Sequence, residues 1–202
     1  MKDALSTEAG KRFGEVVEAA TSEFTTQCYR LYEAPPLGSL VRCGDDSVAY
    51  GVVYDVANRS MDPARHPIPR GEDEISEEAV YLSNPQLERL LYTELRSVVV
   101  GHRSGGELRR EPSPLPPRIH SFVYRCDGPE LREFSSSPDF LPTLLNTRGT
   151  GAQDDVVAAF LRQAGEVHEE PRLFMVDAGK ELAILLANNL PRLNNVLKRL
   201  AQ

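Results

Sequence analysis

Residues 13 to 56 read as strands, with alternating apolar and polar positions over Glu23 to Leu31, and apolar residues at a spacing of three to four mark the last quarter of the chain. Phe13 to Ala19 is short and β-branched. Glu23 to Leu31 places Phe24, Thr26 and Cys28 on one face. Leu40 to Cys43 is a brief strand, and Ser47 to Val56 a longer one. Pro35-Pro36-Leu37-Gly38 carries turn chemistry, and Gly44-Asp45-Asp46 a hairpin-type turn. Gly51 interrupts the longest strand, where a missing side chain marks a bulge or a barrel corner. Leu95 to Val100 and Ile119 to Tyr124 supply two later strands. Short strands at roughly ten-residue spacing predict a small barrel or sandwich.

Between these strands, 57–78 is polar and without periodicity, with Pro63, Pro67, Pro69 and Gly71, and predicts a long loop. Asn84 as cap and Pro85 at the first position predict a short helix over 84–93, with Leu87, Leu90 and Leu91 on one face. After Asp127-Gly128-Pro129 the character changes. Ser135-Ser136-Ser137-Pro138 makes 127–150 read as a linker, although Phe134, Phe140, Leu141, Leu144 and Leu145 imply that parts of it pack.

Ala152 to Ala164 predicts a helix with Val156, Val157, Phe160 and Leu161 as its stripe and Gly165 as its close. Leu173 to Val176 reads equally as strand or as the start of a buried helix. Asp177 is a cap for a helix through Asn188, and Asn189 for a last helix whose Leu193, Val196, Leu197 and Leu200 align. Lys198 and Arg199 sit at the negative end of that helix dipole. The predicted class is α+β, mainly β at the N-terminal side: a closed barrel over 12–126, a linker over 127–150, and a helical region over 151–202.

The strand block resembles a known family. Phe13-Gly14-Glu15-Val16-Val17, Leu37-Gly38-Ser39-Leu40-Val41 and Ala49-Tyr50-Gly51-Val52-Val53-Tyr54-Asp55-Val56 are similar to the HAS barrel. That small barrel is named for the HerA helicases and ATP synthases that carry it at their N-terminus. Ser97-Val98-Val99-Val100-Gly101 and the proline-rich segment before Ile119 look like its closing strands. The resemblance covers roughly residues 12 to 126, and implies a non-catalytic collar that packs against neighbouring barrels. In those ATPases a nucleotide domain with the phosphate loop G-x-x-x-x-G-K-[ST] follows. Here Gly-Lys occurs at Gly10-Lys11 and Gly179-Lys180, but Leu5 and Phe174 stand where the first glycine belongs, and Arg12 and Glu181 where Ser or Thr belongs. The expectation is a free-standing barrel with a helical tail.

Composition narrows the function classes. The 202 residues are 41 % hydrophobic and 26 % charged, with a formal charge of −7, which disfavours a strongly basic nucleic-acid binder. No apolar run approaches the roughly 20 residues of a membrane span, and Met1 to Leu5 lacks the apolar stretch of a secretion signal. A cytoplasmic protein with no membrane partner is expected. Cys28, Cys43 and Cys126 share no C-x-x-C spacing and read as reduced, buried residues. Glu72 to Glu78 packs five carboxylates into seven positions and reads as an exposed loop.

Candidate chemistry is sparse. His66, His102, His120 and His168 form no metal-ligand spacing, so neither metal nor cofactor is expected. His102 and His120 would approach each other if their strands paired. Ser135 to Ser137 lies in a predicted loop without a positioned histidine, so no catalytic residue is nominated. Gly149-Thr150-Gly151 precedes a helix, where anions are attracted, but Asp154 and Asp155 already supply the charge. Arg103, Arg109, Arg110 and Arg118 form the one basic concentration, tempered by Glu107 and Glu111.

The leading reading is a non-enzymatic barrel module for protein assembly. It would associate with itself or a partner through Leu193, Val196, Leu197 and Leu200, as a collar or accessory subunit to a ring ATPase. The alternative is an accessory DNA-processing factor with weak nucleic-acid contact through the Arg103–Arg118 loop.

Overall fold

The computed structural model describes residues 10–45, 47–64, 66–147 and 153–201. Seven strands form: β1 (Arg12–Ala19), β2 (Glu23–Cys28), β3 (Leu40–Cys43), β4 (Ser47–Ser60), β5 (Leu91–Ser104), β6 (Glu107–Arg109) and β7 (Phe122–Arg125). Six close into an antiparallel barrel in the circuit β1-β2-β5-β4-β3-β7-β1, and β6 folds back on the end of β5. Among the described residues each of the six barrel strands is paired on both sides over at least part of its length. The helices are α1 (Glu77–Ser83), α2 (Leu87–Leu90), α3 (Gly128–Ser135), α4 (Leu141–Leu145), α5 (Gln153–Val167), α6 (Pro171–Leu185) and α7 (Leu190–Leu200), with a 3₁₀ turn at Pro138–Phe140. At 37 % helix and 29 % strand, the class is α+β.

The barrel interior is filled by Val16, Phe24, Cys28, Val41, Ala49, Val53, Leu95, Val99 and Val123. Alternate residues of the same strands point outward: Leu40, Tyr50, Val52, Tyr54, Val98 and Val100 pack against the helices in one shared core. That double burial explains why β4 and β5 read as continuous apolar runs rather than clean alternation. Gly51 is required inside the barrel. A Cβ there would lie 2.7 Å from the Phe24 ring and 2.8 Å from Ser97 Cβ, and the β4–β5 register shifts beside it. Gly38 is required at the seam. Its φ is +80°, and a Cβ would stand 2.6 Å from Phe160 N of α5.

Several elements differ from expectation. The polar loop begins only at Met61, because Ala57–Ser60 continue β4 and pair with Leu91–Glu94. Thr93 donates to Asn58 at 2.6 Å, and Arg59 pairs with Glu94, so cross-strand contacts override local polarity. The helix expected over 84–93 shrinks to Leu87–Leu90. Asn84 instead closes α1, its backbone N–H on Tyr81 O and its side chain donating to Val80 O at 3.0 Å. Glu77 and Glu78 are exposed but helical, in the first turn of α1 behind the Ser76 cap. The last strand is Phe122–Arg125, and His120 sits before it in a turn at φ +66°.

The stretch 127–150, expected as a linker, is folded through residue 147. Asp127 caps α3, and Leu131, Phe134, Phe140, Leu141, Leu144 and Leu145 are buried. A file of rings, Tyr50–Phe134–Phe140–Phe160, with centroids 5.3, 5.6 and 4.9 Å apart, runs from the barrel wall to the middle of α5. Helix α5 continues past Gly165 to Val167, because Met175 of α6 rests against that glycine. Helix α6 starts at Pro171, its missing N–H harmless at a first turn, so Leu173–Val176 is helix and Asp177 is interior rather than a cap.

Candidate functional site

The arginine loop is turned inward. Arg103 of β5 donates to Glu133 Oε2 of α3 at 2.7 Å and to Gly106 O at 3.0 Å. Arg110 donates to Phe134 O at 2.6 Å, Glu133 O at 2.7 Å and Ser136 Oγ at 2.9 Å. Those carbonyls belong to the last turn of α3, where helices leave acceptors unsatisfied and a cation is favourable. Arg109 faces Glu107 at 3.1 Å and Glu111 at 4.0 Å. Among the described residues no carboxylate is paired with Arg118. The expected basic surface is thus corrected: Arg103 and Arg110 clamp the helical layer to the barrel. Arg42 adds to the clamp through Glu130, which also accepts from Tyr50 OH at 3.1 Å.

The stripe on α7 is also corrected. Leu193 and Val196 are buried in the shared core, and Leu200 packs partly against it; only Leu197 reaches the rim. Asn189 caps α7, accepting from Arg192 N at 3.2 Å. The helix is tied to the first turn of α5 by Arg192–Asp154 at 2.8 Å and by Arg199–Asp155. The outward apolar face belongs instead to α6. Of its 15 residues only Ala178 and Leu182 are buried. Leu173 (52 % exposed), Val176 (48 %) and Ile184 (69 %) follow one another at helical spacing on the opposite side. In their midst Lys180 pairs with Asp177 at 2.8 Å. A sequence signal existed: Leu173, Val176 and Ile184 fall off the Leu182–Leu185–Leu186 stripe, so α6 carries apolar residues on a second side.

Beside this face α3, α5 and α6 enclose a recess of about 400 Å³, lined in part by Phe140, Leu141, Leu173, Phe174 and His168. His168 Nε2 lies 2.8 Å from Ser135 Oγ, so the expectation of a serine run in a loop without a positioned histidine is corrected. Ser135 sits in the last turn of α3, 4 % exposed, and donates to Leu131 O at 2.7 Å. The pair braces the last turn of α3 against the residue that follows α5. The His168 ring stacks on Phe174 at 4.2 Å, and burial together with the Arg132 charge pushes its pKa down. Thirty-three residues separate the pair, so no spacing could reveal it.

The other histidines do not meet, because β5 and β7 are not neighbours in the barrel. His102 Nδ1 is 3.1 Å from Glu111 O, whereas His120 Nδ1 is 2.9 Å from Glu15 Oε2. Hydrogen bonds from His120 and Tyr29 hold the Glu15 carboxyl below its usual range. All three cysteines are buried free thiols; burial pushes Cys28 and Cys43 up to about 12, and Cys126 upward as well. Among the described residues no three His, Cys, Asp or Glu side chains converge on a metal position. Gly149-Thr150-Gly151 lies outside the described residues. No described helix is long and apolar enough to cross a membrane. No protein-family model matches the chain, and no curated protein matches it.

Proposed function

We propose that the chain is a non-enzymatic, cytoplasmic assembly module that pairs with a second copy of itself through the outer face of α6. The observation that carries this reading is the self-complementarity of that face. In an antiparallel pair centred between Asp177 and Lys180, Leu173 of one copy lies level with Ile184 of the other, and Asp177 level with Lys180. A two-fold contact demands such reciprocity. The recess at Leu173, with Phe140, Leu141 and Phe174 among its lining, offers the opposing Ile184 a partly apolar hole. The resemblance to the HAS barrel extends the proposal to a collar or accessory role beside a ring ATPase. DNA contact through residues 103–118 is not favoured, because Arg103 and Arg110 are spent on α3.

Light scattering after size exclusion, across protein concentration, tests the pairing. The wild-type chain is expected to dimerise, and Ile184→Glu to run as a monomer with unchanged melting. Asp177→Lys alone should weaken the dimer, and Asp177→Lys with Lys180→Asp should restore it. A wild-type chain that stays monomeric at high micromolar concentration overturns the reading.

A further inference from the structure

We propose that a recess at one end of the barrel binds a nucleotide, its phosphate on Lys11 and Arg125 and its base against Tyr29 and Tyr32. The recess lies where β1 begins and β2 and β7 finish, and it encloses about 600 Å³, within the range of small-ligand sites. It stands apart from α6 and is independent of the pairing proposed above.

Charge is the first argument. Lys11 and Arg125 both line the recess, at whose edge Gly10 N donates to Arg125 O at 3.3 Å. Like charges gathered in one recess repel one another. Among the described residues neither cation has a carboxylate partner, in a chain whose net charge is −7. Arg12 adds a third cation to the lining, while Arg30 is neutralised by Glu33 at 3.3 Å. An anion relieves this repulsion, and a phosphate accepts from both a guanidinium and an ammonium.

Shape is the second. Tyr29 and Tyr32 are half exposed, and Pro35 and Pro36 complete an apolar wall. Tyr32 holds φ at +67°, a left-handed conformation that costs free energy in a residue with a side chain. Its backbone N–H donates to Thr93 Oγ1 at 2.7 Å, Thr93 donates on to Asn58, and its ring meets Tyr81 edge to face at 6.0 Å. The strain is therefore enforced by the surrounding structure, and its product is an aromatic ring presented at the mouth of a cationic recess. Flat rings offer any base a stacking surface without reading its identity, so the class is a nucleotide rather than one particular base.

Calorimetric titration of the full chain with AMP, ATP, adenosine, inorganic phosphate and a thymidine oligonucleotide tests the site. AMP and ATP are expected to bind, more weakly as salt is raised, and adenosine to bind at least tenfold more weakly than AMP, since about 1.4 kcal/mol separates each decade. Arg125→Gln and Lys11→Gln should each weaken AMP about tenfold without lowering the melting temperature of the free chain. Tyr32→Ala should lose the advantage of AMP over inorganic phosphate and keep phosphate binding. Adenosine binding as tightly as AMP, or AMP binding that Arg125→Gln leaves intact, overturns the assignment. So does an oligonucleotide that binds when neither mononucleotide does, which would make the recess part of a single-strand surface. Failure of dimerisation leaves every one of these outcomes unaffected.

Discussion

Strand β4 and helix α6 are both apolar along most of their length, but only the strand is covered on both sides. Ala49 and Val53 face the barrel interior while Tyr50, Val52 and Tyr54 face the helices. Helix α5 is the same length as α6, yet it buries seven side chains or glycines, whereas α6 buries two. The difference comes from place in the layering. Helix α5 lies between the barrel wall and the outer helices. Helix α6 lies outside it and has protein on one side alone. Similar apolar content thus contributes stability in one element and leaves surface to be covered in the other.

The largest effect is expected where the two regions join. Phe160→Ala should destabilise the chain by about 3–5 kcal/mol, the usual range for an aromatic removed from a packed core. All seven tyrosines precede residue 126, so near-UV circular dichroism follows the barrel, while the helix band follows the C-terminal layer. Both signals should fall in one shared, lower transition. A barrel signal that keeps its wild-type midpoint would separate the two regions thermodynamically.

Within α6 the two sides should part company. Leu182→Ala, at a fully buried position, should cost about 2–5 kcal/mol. Ile184→Ala, two residues along, should stay within about 0.5 kcal/mol in the monomer, as exposed substitutions do. Urea titration of both variants at low protein concentration checks this; equal losses would mean that α6 is not one-sided.

A smaller gain is expected inside the barrel. Thr26 Oγ1 and Ser97 Oγ are buried without a hydrogen-bond partner among the described residues. Thr26→Val keeps the shape and removes the stranded hydroxyl, so it should stabilise by roughly 1 kcal/mol in a thermal melt.

The smallest effect is a pH dependence confined to the helical layer. Folding depresses the His168 pKa, so the unfolded chain takes up the proton first as pH falls. The brace contributes its stability in full above about 6.5, the ordinary histidine value, and loses it as pH drops through the lowered folded value. The midpoint should therefore fall between neutral and mildly acidic pH, and by less in His168→Gln. An identical fall in the variant would assign the dependence to other groups.

Local pattern made most of the framework legible. Turn residues and β-branched runs locate β1, β3 and the core of β4 and β5, Gly51 announces the bulge, and Asn189 the start of α7. The fold of 127–147 was half visible, since its phenylalanines and leucines demanded burial that a linker does not provide. The arms at Ala57–Ser60 and Leu91–Glu94 were hidden, because their residues are polar and become strand only when each finds the other.

The order of residues determined the period of most elements, the Asn189 cap and the excess of acid, all of which depend on neighbours within a few positions. Tertiary structure alone decided which apolar face stays open, where Arg103 and Arg110 spend their charge, that Lys11 shares a recess with Arg125, and that Ser135 meets His168. Those outcomes join residues tens of positions apart, and contact at such separation is set by how layers stack, a property that no local window of sequence contains.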